Sequence, residues 1–203
     1  MSPLLAAAAP RPRTPRTLVA HVEDRPGVLA RVVTLFRRRG YNIVSLTVAR
    51  THLAGISRLT VVVDADDDTA RRLEANLYKL IDVVAVDDVT ASPAVIHELA
   101  LVKVRASPRE RTDVIELGKV FGARVVDVGH QTLTVELTAT RDAVDRLIAA
   151  LEPHGIVDLV RTGAVAMARG DAPPASADPN PYAHHQPHPD GVDDPDGAAD
   201  DLD

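Results

Sequence analysis

A pattern of strands and helices that occurs twice in succession limits the fold more than any other feature of this sequence. In each half, a stretch of alternating apolar residues precedes a helical stretch, two extended stretches, a second helix and a closing strand. The first half spans 17–90, the second spans 97–170, and Ser92-Pro93 marks a linker at 91–96. The pattern predicts an α+β chain of two similar units, each with an antiparallel sheet and both helices on one face.

Helices are predicted where apolar residues recur every three or four positions. The clearest is predicted at about 26–39, where Pro26 suits the first turn and Arg37 to Arg39 suit the last. Gly40 suits the end of that helix. The other helices are expected at about 69–80, 108–121 and 141–151. Strands are expected at 17–23, 42–50, 57–64, 83–90, 98–106, 124–128, 131–138 and 156–162. The order in each unit, βαββαβ, is that of the ferredoxin-like fold.

The net charge of −6 is carried by the two ends of the sequence. Residues 1–16 contain three Arg and no acidic residue, whereas 171–203 contain nine Asp and no Lys or Arg. The segment between them, 17–170, is electrically neutral. Because the two ends have too little apolar surface to bury, we expect a disordered arm over 1–16 and a disordered acidic tail, rich in Pro, Asp and His, over 171–203.

Composition argues against several classes of protein. The absence of Cys excludes disulfides, thiolate metal sites and cysteine nucleophiles. No apolar run approaches the roughly 18–20 residues that span a bilayer, and the stretch 4–9 is too short for a secretory signal, so we expect a cytoplasmic protein without a membrane partner. The neutral middle segment and the 2% aromatic content argue against nucleic-acid binding, even with the run Arg37 to Arg39.

No catalytic residue or metal site is predicted. His184, His185 and His188 lie in the Pro- and Asp-rich tail, where solvated residues are a simpler interpretation than a weak metal site. The run of aspartates at 66–68 could attract a divalent ion, but a turn that caps the second helix through Asp68 or Thr69 is favoured. The sequence contains no nucleophile elbow, phosphate-binding loop or dinucleotide motif.

One sheet face and one sheet edge of the first unit need a partner. Val19 and Val62 are apolar and fall on the face opposite the helices, and the mostly uncharged strand 42–50 is expected at an edge. Both features favour pairing with another chain or domain, so we expect a homo-oligomer.

The turn between the first strand and the first helix is the most informative local feature. Gly27 in the first helical turn would leave backbone N–H groups open to an anion such as a carboxylate. Asp24 offers oxygens to an ammonium group, and Asn42 adds a donor and an acceptor. From the residues, two interpretations remain open: a site for an amino acid, or a turn that Asp24 caps and Gly27 permits.

A family resemblance favours the first interpretation. The stretch VEDRPGVLARVVTLFRRRGYNIVSLTVA (22–49) resembles the ACT domain of the regulatory small subunit of acetolactate (acetohydroxyacid) synthase. Further stretches continue the resemblance in order through both units: SRLTVVV (57–63), NLYKLIDVVAV (76–86), ELALVKVRA (98–106), VFGARVVDV (120–128) and MARG (167–170).

The resemblance implies a non-catalytic subunit. Such a subunit activates a catalytic subunit that holds thiamine diphosphate, Mg²⁺ and FAD, and it confers feedback inhibition by valine or related branched-chain amino acids. No cofactor is implied in this chain. The effector is expected between two ACT domains of a homodimer, where one chain supplies Asp24, Arg25, Pro26, Gly27, Val28 and Leu29 and the other supplies Asn42 and Ile43. The alternative is a stand-alone ACT sensor that regulates another enzyme or a transcription factor.

The sequence departs from the family pattern in three places. Asp24 stands where many members have Asn, Val44 stands where Glu is usual, and the loop 51–56 is short. The second unit has Ser107-Pro108-Arg109-Glu110 at the place of the glycine-containing turn. We therefore assign no ligand to the second unit.

Overall fold

A computed structural model describes residues 13–171. The first unit consists of β1 (Thr14–Glu23), α1 (Val28–Arg39), β2 (Ile43–Arg50), β3 (Ile56–Ala65), α2 (Asp67–Leu77) and β4 (Val83–Asp88). The second consists of β5 (Ala94–Arg105), α3 (Arg111–Val120), β6 (Arg124–Val128), β7 (Thr132–Ala139), α4 (Arg141–Leu151), a 3₁₀ turn (Glu152–His154), β8 (Ile156–Arg161) and β9 (Val165–Ala168). The strand orders are β2-β3-β1-β4 and β6-β7-β5-β8, with antiparallel pairing throughout. The predicted pair of ferredoxin-like units is confirmed.

The core of the first unit lies between its sheet and its two helices. Alternate residues of β1 face the helices and are buried, because successive side chains of a strand point to opposite faces. Phe36 of α1 is fully buried in this core, and its ring meets Tyr41 edge-on with 6.1 Å between the centroids. The buried set comprises Leu18, Ala20, Val22, Val28, Val32, Phe36, Leu59, Val61, Val63, Ala65, Leu73, Leu77, Val83 and Val86.

The second unit repeats this arrangement with smaller side chains. Ala100, Val102 and Val104 of β5 face Val144 and Leu147 of α4 across a fully buried layer. Each of these larger aliphatic residues contributes about 1.5–3 kcal/mol through burial. The two cores are separate clusters, so each unit has its own hydrophobic core.

Several predicted boundaries are wrong by a few residues. β1 begins at Thr14, inside the predicted arm, and β5 begins at Ala94, inside the predicted linker. Helix α1 begins at Val28 rather than at Pro26. The cap of α2 is Asp66, whose Oδ1 accepts from the N–H of Thr69 at 2.7 Å, and not Asp68 or Thr69. The rest of the predicted arm and tail, 1–12 and 172–203, lies outside the described residues.

A two-stranded ribbon covers the back face of the first sheet. The first residues of β5 pair with β9, a strand that the sequence pattern did not predict. Val19 and Val89 of the first unit pack there against Ala166, with Ala94 and Ile96 beside them. The sheet face that was expected to need a partner is therefore covered by the same chain. Strand β2 lies at the edge of the sheet, as expected, because within residues 13–171 it pairs with β3 alone.

No helix between residues 13 and 171 is long and apolar enough to cross a membrane. Over the same residues, no group of three or more His, Asp or Glu side chains is placed to hold a metal ion.

Candidate functional site

The turn between β1 and α1 is exposed at the end of the first sheet. Gly27 is the residue before the helix, and it has a φ of 87°, which glycine adopts far more easily than other residues. Its backbone conformation is therefore sufficient reason for a glycine here. A Cβ at Gly27 would lie 3.4 Å from Nη1 of Arg31, at the lower limit of ordinary van der Waals contact. The N–H groups of that turn are natural donors to an anion.

Asp24 is already bound by two side chains of its own unit. Its Oδ2 lies 2.8 Å from Nε of Arg50, and its Oδ1 accepts from the hydroxyl of Ser57 at 3.2 Å. The Arg50 side chain is 84% exposed, so solvent screens this ion pair and it is worth about 1 kcal/mol or less. An ammonium group could replace the Arg50 guanidinium beside Asp24 with little loss of free energy.

The short loop between β2 and β3 contacts the turn directly. The N–H of Asp24 donates to the carbonyl of Gly55 at 2.8 Å. The loop is closed on itself by the hydroxyl of Thr51, which donates to the carbonyl of Ile56 at 3.0 Å. The short loop therefore supports one wall of the turn.

A half-buried ion pair, which the sequence pattern did not reveal, holds α1 beside the turn. Arg31 donates to Asp82 through Nε at 2.6 Å and through Nη2 at 2.8 Å, a bidentate pair. The Asp82 side chain is only 6% exposed. The backbone carbonyl of Asp82 accepts from the N–H of Glu23 at 2.9 Å. Fifty-one positions separate the two charged residues, and no local pattern links them.

The other predicted residues of the turn have different orientations. Arg25 is exposed and pairs with Glu23 at 3.0 Å, and Pro26 is exposed beside it. Val28 is buried in the core, so only its backbone can face a ligand. Leu29 is 42% exposed and offers an apolar side chain on the outer face of α1.

Asn42 and Ile43 lie at the opposite end of the unit from the turn. Arg50, at the end of β2, pairs in register with Ser57 beside the turn, whereas Ile43 pairs with Val63 at the far end of β3. Seven residues of extended chain separate Arg50 from Ile43, or about 23 Å at 3.3 Å per residue. The structure therefore does not bring the two predicted parts of the site together within one chain.

Behind the turn, the back face of β1 carries a buried histidine. His21 is 2% exposed, and its Nε2 lies 3.3 Å from Nη1 of Arg58. Burial, followed by the charge of Arg58, lowers the pKa of His21 to about 4. His21 is therefore neutral at physiological pH and belongs to the interface with the ribbon rather than to the exposed turn.

The matching turn of the second unit is occupied by its own side chain. Glu110 accepts from the N–H of Ser107 at 3.0 Å, and the hydrogen bonds from Ser107 lower the pKa of this carboxyl. Glu110 thus closes this turn on itself through its own carboxylate.

Comparisons with known proteins match both units. A model of the small subunit of acetolactate synthase matches residues 97–170, and a model of the AHAS small subunit-like ACT domain matches residues 18–85. The probable acetolactate synthase small subunit of Archaeoglobus fulgidus is 44% identical over 155 residues, which are 76% of this chain and 97% of that protein. The acetolactate synthase small subunit of Mycobacterium leprae is 45% identical over 154 residues, 76% of this chain and 91% of that protein.

A solved structure agrees with these matches. The acetolactate synthase small subunit from Thermotoga maritima superposes with a TM-score of 0.72 and 34% identity, covering 78% of this chain and 99% of that one. The resemblance in the sequence is thereby confirmed across both units. The chain belongs to the family of acetolactate synthase small subunits.

Proposed function

We propose that this chain activates the catalytic subunit of acetolactate synthase and confers feedback inhibition by valine or a related branched-chain amino acid. The observation that carries the proposal is the match along both units to proteins named as small subunits, one of them over 97% of its length. Thiamine diphosphate, Mg²⁺ and FAD are expected on the catalytic subunit under this proposal, and the complex is expected in the cytoplasm.

A homodimer through the ACT units would complete the effector site. The two halves of the site lie at opposite ends of the edge strand β2, about 23 Å apart. If two copies pair β2 with β2 antiparallel across a two-fold axis between Leu46 and Thr47, Ile43 of one copy comes opposite Arg50 of the other. This pairing would bring Asn42 of one copy to the turn 24–29 of its partner.

Exposed apolar residues beside the edge strand support the same contact. Leu29 and Val33 on α1 are exposed, and so is Val48 on β2, which points to the helix side of the sheet in register with Leu59. A two-fold contact would remove these side chains from water together with the unpaired edge of β2.

The chemistry of the completed site suits a branched-chain amino acid. The carboxylate of the effector would accept from N–H groups at the start of α1, as expected from the dipole of the helix. Its ammonium group would lie between Asp24 of one copy and Asn42 of the other. Leu29 and Ile43 would contact the branched side chain.

Reconstitution tests the proposal. The protein is mixed with an acetolactate synthase catalytic subunit, and the rate is measured while valine, leucine or isoleucine is added. We expect activation without effector and inhibition by at least one of the three. The absence of both effects would refute the proposal, whereas amino-acid binding with another partner enzyme would favour a stand-alone ACT sensor.

The Gly27→Asp variant tests the site itself. It places a negative charge where the effector carboxylate would bind, so we expect valine binding to be lost while activation is retained. Gly122→Asp is the matched control, because Gly122 also has a positive φ, 72°, and open space around it, but lies in the second unit. Normal valine binding by Gly27→Asp in calorimetry would show that the site is elsewhere.

A further inference from the structure

The second unit touches the edge strand of the first at a glycine. Gly163 lies between β8 and β9, and a Cβ added to it would meet Oγ1 of Thr47 at 2.6 Å. The same Cβ would meet the carbonyl oxygen of Leu46 at 3.2 Å. The backbone of Gly163 therefore packs directly on β2, with no space for a side chain between the two units.

This contact lies on the strand that begins with half of the proposed effector site. Ile43 starts β2, and Leu46 and Thr47 follow three and four residues later, about 10–13 Å along the strand. The register of β2 against β3 shifts between Ile43 and Ser45, as in a β-bulge. An edge strand with such an irregularity is held less firmly than a central strand, because its ladder of hydrogen bonds is one-sided and interrupted.

A cavity beside the contact leaves space for a small displacement of β2. Its volume is about 310 Å³, and it lies between β2 and the second unit. The hydroxyl groups of Ser45 and Thr47 are buried and have no hydrogen-bond partner among the described residues. Among the described residues, the second unit therefore supplies no hydrogen bond to these two hydroxyls, although Thr47 is in close contact with Gly163.

The ribbon that follows Gly163 is held firmly at its other side. Nη2 of Arg58 donates to the carbonyl of Ala166 at 2.5 Å, and Val19 packs against Ala166 in a buried cluster. Arg58 and Val19 belong to the inner strands β3 and β1. The segment around Gly163 thus connects a firmly held ribbon with a less firmly held edge strand.

We propose that Gly163 is the positioning residue through which the second unit responds to the effector bound at the start of β2. This inference rests on the function proposed above. An effector on Asn42 and Ile43 that changes the position of β2 must change the contact of Gly163 with Leu46 and Thr47.

The test separates effector binding from effector response. Valine binding to the small subunit is measured by calorimetry, and valine inhibition is measured in the complex with the catalytic subunit. For Gly163→Ala we expect a Kd for valine within threefold of wild type. The valine concentration for half-inhibition should rise at least tenfold, or the maximal inhibition should fall by more than half.

A second variant and a control complete the test. Thr47→Ala removes the side-chain atoms that meet Gly163, and because this loosens the contact we expect a rise of at least threefold in half-inhibitory valine. Gly118→Ala is the control, because its Cβ would meet its nearest neighbour, Cγ1 of Val135, at an ordinary 3.7 Å. It should change neither measurement, and circular dichroism checks that each variant is folded.

The outcomes distinguish the two proposals. A wild-type protein that neither activates nor responds to valine overturns the proposed function and this inference with it. A responsive wild type with equally responsive Gly163→Ala and Thr47→Ala variants overturns the role of Gly163 alone. Should Gly163→Ala not fold, Thr47→Ala decides, and loss of valine binding in parallel with inhibition would also contradict a coupling role.

Discussion

Acidification should destabilise this protein through His21, whose environment opposes a positive charge. The side chain is buried between the first sheet and the ribbon, and Nδ1 has no hydrogen-bond partner among the described residues. The guanidinium of Arg58 faces Nε2. Asp87 of β4 lies in register with Val19 on the same sheet face, and its charge acts on Arg58. Burial and the positive charge of Arg58 lower the pKa of His21 from 6.5 to about 4.

The sign and size of the effect follow from proton linkage. Between pH 6.5 and pH 4 the unfolded chain binds a proton at His21 that the folded chain excludes, so stability falls as the pH falls. Below about pH 4 both states are protonated and the loss is complete. A pKa gap of this size corresponds to about 3 kcal/mol at 1.36 kcal/mol per pKa unit, a large part of the stability of a small domain.

Urea unfolding at a series of pH values measures this contribution. Wild type and His21→Gln are compared at pH 7, 6, 5 and 4 at one protein concentration. Because the carboxylates titrate in both proteins, the difference between the two unfolding free energies at each pH reports the effect of His21. Between pH 7 and 4 we expect wild type to lose about 3 kcal/mol more than the variant. His130→Gln, at an exposed position of the second unit, is the control. Parallel pH profiles for wild type and His21→Gln would refute the reasoning.

Three further predictions concern the ion pair, the edge strand and the tail. Arg31→Ala should destabilise the protein by about 1.5–3 kcal/mol in thermal or urea unfolding, because it removes two hydrogen bonds from the Asp82 carboxylate; Asp82→Asn should cost less, since Arg31 is half exposed. Val48→Arg should convert the proposed dimer to a monomer in sedimentation and weaken valine binding, whereas Val126→Arg, also exposed but in the second unit, should do neither. Deleting 172–203 should change the half-inhibitory valine concentration less than twofold, because a relative matched over 97% of its length aligns with only 76% of this chain.

The interior of both units could be predicted from the sequence because apolar periodicity is a local signal. The predicted bounds of α4 and β6 agree with the structure to the residue, and Gly40, with its φ of 68°, ends α1 as expected. β9 escaped prediction because four residues are too few to establish an alternating pattern. Its pairing depends on β5, which is about seventy positions away in the sequence.

The position of the candidate turn was predictable from the sequence, but its contacts were not. The turn from Asp24 to Leu29 lies where the pattern placed it, yet the role of Gly27 in backbone geometry became clear only from its φ. The partners of Asp24 come from the β2–β3 hairpin, and the ion pair of Arg31 with Asp82 joins two distant segments. Such pairings depend on the tertiary structure, and no local pattern in the sequence indicates them.

The separation of the two half-sites along β2 has a thermodynamic consequence. If the effector must contact the turn of one copy and Asn42 of another, it binds the dimer and not the monomer, so binding and dimerisation stabilise each other. The same strand contacts Gly163. One displacement of β2 would therefore change the proposed dimer interface, the effector site and the contact with the second unit together. Because residues 17–170 carry no net charge, this coupling must depend on local dipoles, close packing and apolar contact rather than on long-range electrostatic attraction.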